Sequence, residues 1–266
     1  MPHRFPSSPS PASGWGFCMA PPTGNLGRRW HRPEPGGAQI PSGGPLGWPL
    51  YLWLRPASPP QPPFAMEAAI TSLSQLDPNG SYTYADYLTW RFDEFVELIK
   101  GKVLRPMAGA GRRHQQVSRR LGYAIDSHLR RSSCELYYAP FDVRLTRVTG
   151  AGDAQVQTVV QPDILVVCDT AKLDERGCVG APDWIIEIVS PGNLKHDTKT
   201  KFDLYQENGV REYWVVFPGE QTVLAYVLDE HGRYEVAGEY AAPGPMPVTV
   251  LPGLAVEWSE VFDAAV

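Results

Sequence analysis

Residues 162–205 read PDILVVCDTAKLDERGCVGAPDWIIEIVSPGNLKHDTKTKFDLY, and the fold depends on this stretch. It contains two apolar runs, each carrying one acid, followed by a polar segment with helical periodicity. Asp163 opens the first run, and Glu187 lies in the middle of the second. Isoleucine and valine on both sides of Glu187 predict a strand that is buried on both faces. An ionised carboxylate there is costly unless a cation or several hydrogen-bond donors compensate it.

The two acids are predicted to be neighbours. If the strands run antiparallel, the start of the first lies beside the later part of the second, which brings Asp163 next to Glu187. Two carboxylates in a low-dielectric environment repel each other, and a hard divalent cation relieves that repulsion. Taken alone, Asp163 could be a strand-start acid or a turn former. The buried position of Glu187 favours the metal-binding interpretation.

The composition is typical of a globular protein, with 43% hydrophobic and 20% charged residues. No apolar run is long enough to cross a bilayer, and no apolar segment follows Arg4 as a signal peptide requires. We therefore expect a cytoplasmic protein that does not interact with a membrane. The four cysteines form no CxxC pair, which favours reduced thiols at Cys18, Cys134, Cys168 and Cys178.

The chain divides at about residue 65. Residues 1–65 hold 16 of the 27 prolines, and we expect them to form a disordered Pro/Gly-rich extension, or to precede the true translation start at Met66. A basic tail that binds a partner is a further alternative for this segment. Residues 66–266 hold 19 basic and 28 acidic residues, so the predicted domain has a net charge of −9. Nucleic acid could bind such a domain only through a local basic patch or a bound metal.

Periodicity within residues 66–266 predicts an α/β fold of the α+β type, in which a mixed sheet is flanked by helices. A short helix capped by Thr83 precedes a hairpin with a Lys100-Gly101 turn, and a long arginine-rich helix covers residues 113–131. Short strands follow on either side of a GAGD turn, leading to the strands of Asp163 and Glu187. A helix over residues 194–208, capped by Asn193 and ended by Gly209, precedes two more strands, a hairpin and a C-terminal tail.

Four further side chains could take part in chemistry, and each has a simpler interpretation. Glu97 lies in the strand FVELI, where an acid usually faces solvent, and His114 opens the long helix, where a histidine usually packs or caps. In the later helix, Leu194, Thr198, Phe202 and Tyr205 form an inward stripe. Lys201 lies at the edge of this stripe, whereas Lys199 lies on the face of the helix that is predicted to be exposed to solvent.

Several common catalytic motifs are absent from the sequence. It has no GxSxG, no P-loop, no GxGxxG after a strand and no HExxH. His196 and Asp197 are adjacent on a predicted helix and therefore point about 100° apart, which makes a poor metal pair. These absences leave the acidic pair as the main functional signal.

Longer motifs resemble a known family. PDILVV, APDWIIEIVSP and HDTKTKFDLYQENGVREYWVV, together with VELIKGKVLRPMAG and RRHQQVSRRL, are similar to the Uma family of restriction endonucleases. That family lies in the PD-(D/E)xK nuclease superfamily, and the resemblance covers roughly residues 80–255. It implies a restriction-endonuclease-like core, in which a helix packs on a mixed sheet that carries the acids.

The resemblance assigns roles residue by residue. Asp163 matches the aspartate of the PD motif, Glu187 the second acid, Glu97 an upstream glutamate and His114 the helix-opening histidine. The superfamily's lysine is expected two residues after the second acid, but Val189 stands there. The family pattern instead points to Lys201, in the following helix.

These roles imply a metal-dependent endonuclease that hydrolyses phosphodiester bonds, with DNA as the expected substrate. Asp163 and Glu187 would hold one or two Mg²⁺ ions, with Mn²⁺ as a substitute, and Glu97 would bind a second ion or a water on the first. Lys201 would complete the catalytic set by orienting water or stabilising the transition state. Arg112, Arg113, His114 and Arg119 would contact nucleic acid, and a homodimer would suit cleavage of both strands.

Two other interpretations stay open at this point. One is a catalytically silent nuclease fold that binds nucleic acid or a partner, although it would have no need to keep Glu97, Asp163, Glu187 and Lys201 together. The other is a structural protein in which these charges form a buried ion network. Binding of a divalent cation separates both from the catalytic interpretation.

Overall fold

A computed structural model describes residues 69–104, 111–148, 150–190 and 196–262, with side chains described from residue 199 onward in the last long helix. All of these residues belong to one unit of the chain, Pro62–Val266. The predictions for residues 1–65, for the Asn193 cap and for the inward placement of Leu194 and Thr198 lie outside the described residues.

The described chain contains helices and short strands. The helices are α1 (Tyr84–Tyr87), α2 (Arg112–Leu129), α3 (His196–Asn208) and α4 (Trp258–Val261). The strands are β1 (Glu97–Ile99), β2 (Lys102–Leu104), β3 (Glu135–Tyr138), β4 (Asp142–Arg144), β5 (Val159–Val160), β6 (Ile164–Val167), β7 (Leu173–Asp174), β8 (Gly177–Val179), β9 (Trp184–Ile188), β10 (Glu212–Phe217), β11 (Thr222–Leu228), β12 (Tyr234–Tyr240), β13 (Pro245–Pro247) and β14 (Ala255–Glu257).

Two six-stranded sheets replace the single mixed sheet of the prediction. Sheet one has the order β2-β1-β5-β4-β8-β7, and sheet two has the order β12-β11-β10-β9-β6-β3. Each is mixed, because β4 pairs with β8 and β9 pairs with β10 in parallel, while the other neighbours are antiparallel. The predicted class, a mixed α+β fold, is confirmed. The predicted C-terminal tail is wrong, since β13 and β14 form a two-stranded ribbon that is followed by α4.

Local signals explain the elements that carry the site. Thr83 caps α1, its hydroxyl accepting from the Asp86 amide while the Asp86 carboxylate accepts from Thr83. Lys100 and Gly101 have φ of 50° and 80°, the left-handed pair that a two-residue hairpin turn requires between β1 and β2. Gly209 has φ of 85° directly after α3, as the left-handed residue that ends a helix.

Sheet two separates two apolar layers. On one face α2 buries its stripe against the sheet, with Leu121 and Ile125 fully buried beside Ile164, Ile186 and Trp214. The opposite face of sheet two shares its apolar cluster with α3 and sheet one. Helix α3 contributes Leu204 and Tyr205 to that cluster, so a polar side chain on the inner face of α3 is removed from water.

The expectation of four reduced thiols is wrong for two of the cysteines. Cys134 and Cys168 form a disulfide, with their Cα atoms 3.8 Å apart. Glu135, the first residue of β3, pairs with Val167, the last residue of β6, so the two cysteines occupy the next position of the same antiparallel register. This pairing could not be predicted, because the two cysteines are 34 positions apart and their contact depends on the pairing of β3 with β6. Cys178 is a free, buried thiol.

None of the helices in the described ranges is long and apolar enough to span a membrane.

Candidate functional site

Strand register brings Asp163 and Glu187 together. Strands β6 and β9 are antiparallel, with Ile164 opposite Ile186, so the two acids take the next position of that register. The Ile188 amide donates to Asp163 Oδ2 at 2.7 Å, which ties the start of β6 to the end of β9. The predicted antiparallel pairing, and with it the proximity of the two acids, is confirmed.

Glu187 is a carboxylate in an almost dry environment, with 13% of its side chain exposed. Its Oε1 accepts from Lys201 Nζ at 3.0 Å and from the Tyr205 hydroxyl at 2.6 Å. Burial raises the pKa of Glu187 to about 8; Lys201 opposes this rise, and the charges of Asp163 and Glu97 add to it. The local donors therefore do not fully compensate the negative charge of the cluster.

Lys201 lies between two acids. Its ammonium is 3.0 Å from Glu187 Oε1 and 3.2 Å from Glu97 Oε1, and 10% of its side chain is exposed. Lys199 is 78% exposed and pairs with Asp203 on the outer face of α3. The helical register therefore turns Lys201 inward and Lys199 outward, as predicted.

Glu97 is buried, so the expectation that an acid in this hairpin faces solvent is wrong. Strand β1 is an interior strand, with β2 on one side and β5 on the other. The backbone amide of Gln161 donates to Glu97 Oε1 at 3.1 Å, and the same oxygen lies close to the Lys201 ammonium. Sequence periodicity could not reveal this burial, because it depends on which strand pairs with the far side of β1.

His114 joins the acidic pair from the first turn of α2. Its Nε2 lies 3.1 Å from Asp163 Oδ2. Burial would lower the pKa of His114, but the hydrogen bond to Asp163 and the charges of Asp163 and Glu187 outweigh it, so the pKa is raised. Its Nδ1 is buried without a hydrogen-bond partner in the described part of the chain. The predicted phosphate contacts Arg112, Arg113 and Arg119 are exposed along the same helix.

Two groups behind the acids were missed by the sequence analysis. Tyr205 was assigned only to the apolar stripe, yet its hydroxyl donates to Glu187. Gln161 links Glu97 to Asp142, because its side-chain amide donates to Asp142 Oδ1 at 2.8 Å. The Tyr84 hydroxyl donates to the other Asp142 oxygen at 3.1 Å. Positions so far apart in sequence carry no local signal, and only the sheet topology brings them together.

The donor set suits a hard cation, although no three Asp, Glu, His or Cys side chains of the described residues converge into a ready-made ion site. Mg²⁺ usually takes one or two protein carboxylates and keeps several waters, so a full cage is not required. Asp163 and Glu187 supply such a pair. The raised pKa of Glu187 fits a cluster that lacks positive charge. The residues present therefore fit a cation bound by two carboxylates.

The site therefore consists of two neighbouring acids on a mixed sheet and a helical lysine that contacts Glu187 and Glu97. A family model described as "Uma2: Putative restriction endonuclease" matches residues 84–259, about two thirds of the chain. The chain belongs to this family, and the resemblance in its motifs is confirmed.

Two individual proteins are similar to this chain. The crystal structure of a putative nuclease belonging to DUF820 from Anabaena variabilis has a TM-score of 0.53 and 22% sequence identity, and the match covers 68% of this chain and 97% of that one. An uncharacterized protein from Synechocystis is 24% identical over 160 residues, which covers 59% of this chain and 80% of that protein. The similarity to the Anabaena structure supports the nuclease-type fold.

Proposed function

We propose that the protein is an endonuclease that hydrolyses phosphodiester bonds of DNA with a divalent cation, Mg²⁺ or Mn²⁺. The observation that carries the proposal is the convergence of Glu97, Glu187 and Lys201 in one buried cluster beside Asp163. These residues come from β1, β9, α3 and the start of β6. Buried charges that serve only the fold are rarely gathered from so many elements, because each one carries a desolvation cost.

Asp163 and Glu187 are the proposed metal ligands. They face each other across β6 and β9, one position beyond the pair Ile164–Ile186. Hydrogen bonds from the Ile188 amide and the Tyr205 hydroxyl orient their carboxylates. Glu97 lies on the far side of Lys201 and would act as an outer ligand or hold a second ion. When bound, the cation would stabilise negative charge on the phosphate and make water more acidic.

Lys201 and His114 are proposed to act around the ion. Lys201 lies between Glu97 and Glu187 at the site, and its ammonium would stabilise negative charge on the phosphate as a compact positive charge. His114 donates from Nε2 to Asp163, which fixes the orientation of that carboxylate. The raised pKa of His114 favours the protonated form, which adds positive charge where the phosphate would lie.

The proposed nucleic-acid contact is the N-terminal half of α2. Arg112, Arg113 and Arg119 are exposed there, within one helix that begins at the site. Guanidinium groups suit phosphate oxygens, and a local cluster offsets the negative charge of the domain. Membership of a family described as restriction endonucleases supports DNA as the substrate.

A buried ion network without catalysis is the competing function. One observation favours it, since the Lys201 ammonium contacts both Glu97 and Glu187 and can serve as the counter-ion of both. In that case the lysine is the counter-ion, and the cluster has no need of a metal. The two functions therefore predict opposite results when a divalent cation is added.

Calorimetric titration of the full chain with Mn²⁺ at pH 7 separates these functions. We expect binding that Glu187→Ala and Asp163→Ala lose and that Lys199→Ala keeps. Since the pKa of Glu187 is about 8, binding at pH 7 should also release a proton, so the measured heat should change with the ionisation enthalpy of the buffer. Absence of saturable binding to the wild-type protein would favour the ion network instead.

A further inference from the structure

A cleft opens next to Asp163 between α2 and the end of β3. Its volume is about 300 Å³, and it is lined by His114, Gln115, Ser118, Arg119, Tyr138 and Asp163 together with Ala139. This volume lies at the small end of the range for ligand-binding pockets. We call it the α2 cleft. Because Asp163 forms one of its walls, whatever occupies the cleft lies beside the proposed metal pair.

An exposed aromatic ring lines the α2 cleft. Tyr138 is the last residue of β3, and it is 44% exposed. Its ring lies against Gly122 of α2, where a Cβ atom would come within 1.8 Å of the Tyr138 hydroxyl. Any larger residue at position 122 would therefore displace the ring. The glycine lets a large aromatic side chain lie against the helix and still present its ring to the cleft.

Positive charge and a second ring continue the same surface along α2. Gln115, Arg119 and Tyr123 follow at intervals of four residues and therefore share one helix face. Arg119 is exposed and makes no hydrogen bond or ion pair with any other residue in the described ranges. Tyr123 is 74% exposed. Exposed aromatic rings and a basic side chain on one surface are the usual composition of a site that binds single-stranded nucleic acid.

We propose that the α2 cleft binds one unpaired nucleotide adjacent to the phosphate that is cleaved, with Tyr138 stacking on the base and Arg119 contacting a backbone phosphate. This inference rests on the proposed function and adds a substrate class to it, namely nucleic acid that is single-stranded or locally unpaired. A base inside a duplex is stacked on both faces and cannot reach the ring of Tyr138. Duplex would therefore enter this site only after local unpairing.

Charge favours the same substrate class. Residues 66–266 have a net charge of −9, and this net charge disfavours binding of duplex through many phosphates. Stacking of a base on an aromatic ring contributes to binding and needs no net positive charge. One stacked base and a few local arginines suit an acidic domain better than extended contact with a double helix.

Fluorescence anisotropy of the full chain tests this inference. The probe is a fluorescein-labelled 15-nucleotide DNA strand, measured alone and annealed to its complement, in chelator so that no cleavage occurs. We expect the single strand to bind at least about tenfold more tightly than the duplex. Tyr138→Ala should weaken single-strand binding by about 5- to 100-fold, which corresponds to the loss of one stacked base, and should change duplex binding little.

Matched variants isolate the ring from other effects. Tyr138→Phe keeps the ring and should bind the single strand within about twofold of wild type, while Arg119→Ala should weaken both forms by removing a phosphate contact. Arg233→Ala and Val236→Ala, exposed positions on and beside β12, should change neither. An RNA strand of the same sequence serves as a second probe: binding that depends on Tyr138 supports the inference with either strand, and the tighter of the two identifies the sugar preferred.

The inference can fail alone or together with the proposed function, and the two cases can be distinguished. Tighter binding of the duplex, or unchanged single-strand binding by Tyr138→Ala, rejects the stacking role of the cleft while cleavage in Mg²⁺ leaves the proposed function intact. No binding of any nucleic acid, together with no cleavage in Mg²⁺ or Mn²⁺, rejects the proposed function and this inference with it. Circular dichroism melting confirms that Tyr138→Ala is folded, as expected for a half-exposed side chain.

Discussion

At the scale of single residues, the site is governed by a shortage of positive charge around Glu187. One lysine and one tyrosine hydroxyl face the carboxylate, while Asp163 and Glu97 bring two further negative charges nearby. The pKa of Glu187 is raised to about 8 because burial and the charges of the two acids outweigh the opposing charge of Lys201. At neutral pH the Glu187 carboxylate therefore binds either a proton or a cation. Proton release on cation binding and the pH dependence of stability are two ways to measure this.

The lysine prediction follows from the register of α3. Lys201→Ala removes a charge proposed to act mainly in the transition state, so kcat should fall by about a hundredfold or more while KM changes less. Lys199→Ala removes only an exposed pair with Asp203 and should stay within a few-fold of wild type. Steady-state cleavage kinetics of both variants make the comparison. An inactive Lys199→Ala beside an active Lys201→Ala would contradict the proposed role.

The pH dependence of stability follows from Glu187. Between about pH 4.5 and pH 8 the folded protein holds a proton on Glu187 that the unfolded chain has lost. Raising the pH through this window should therefore destabilise the metal-free protein, and Glu187→Gln should flatten that dependence. Thermal melting in chelator from pH 5.5 to 8.5 measures it, with about 2–4 °C expected per kcal/mol. A wild-type Tm that rises steadily with pH across the window would oppose this account.

Among the site residues, Asp163, Glu187 and Lys201 could be positioned from sequence because their placement depends on local periodicity. An acid within an apolar strand and a lysine beside an apolar helical stripe are visible without knowing the topology. The burial of Glu97 was not, because it is set by β5, which pairs with β1 from about 60 residues away. Gln161, which directly follows β5 and donates to Glu97, was missed for the same reason.

At the scale of elements, the β1–β2 hairpin positions Glu97. Its turn needs a left-handed residue at Gly101, and a Cβ atom there would lie 2.3 Å from the Ser81 hydroxyl. Gly101→Ala should therefore cost about 1–3 kcal/mol and lower Tm by several degrees. Melting curves of Gly101→Ala and of the double variant with Ser81→Gly test this. The double variant should recover the part due to the clash but not the part due to the backbone; an unchanged Tm in the single variant would refute the prediction.

Helices and strands with a strong hydrophobic periodicity could be predicted from the sequence, whereas short two-stranded ribbons could not. The apolar stripe of α2 predicted its burial, and isoleucine on both sides of Glu187 predicted an interior strand. Strand β13 is PMP, and proline at two of its three positions argues against a strand when the sequence is considered alone. Within the described residues, strand β13 pairs only with β14, so its other edge needs no backbone N–H donors. The proline nitrogens, which carry no hydrogen, are tolerated on that edge.

At the scale of the whole molecule, the proposed site residues and the family match over residues 84–259 both lie C-terminal to residue 65, and the role of the N-terminal segment stays a prediction. A chain that starts at Met66 should melt within about 2 °C of the full chain, because residues 1–65 lack the apolar periodicity that builds a core. Melting of the two chains side by side is the measurement. Loss of a cooperative transition on truncation would show that the segment contributes to the fold.

The presence of two sheets could not be deduced from sequence. Strands such as β5 and β7 are two residues long, and nothing in their composition assigns them to one sheet or the other. The boundary between the sheets matters to function, because Glu97 belongs to sheet one whereas Glu187 belongs to sheet two. Lys201 therefore links the two sheets as well as two acids.

Cleavage of nucleic acid in the presence and absence of a divalent cation tests the central claim most directly. Supercoiled plasmid and a single strand are incubated with the full chain in Mg²⁺, in Mn²⁺ and in chelator, beside Glu187→Gln as a near-isosteric variant that lacks the charge. The account predicts cutting by the wild-type protein only with metal, and a rate at least about a hundredfold lower for Glu187→Gln. Cutting that persists in chelator, or a Glu187→Gln protein that cuts at the wild-type rate, would contradict it.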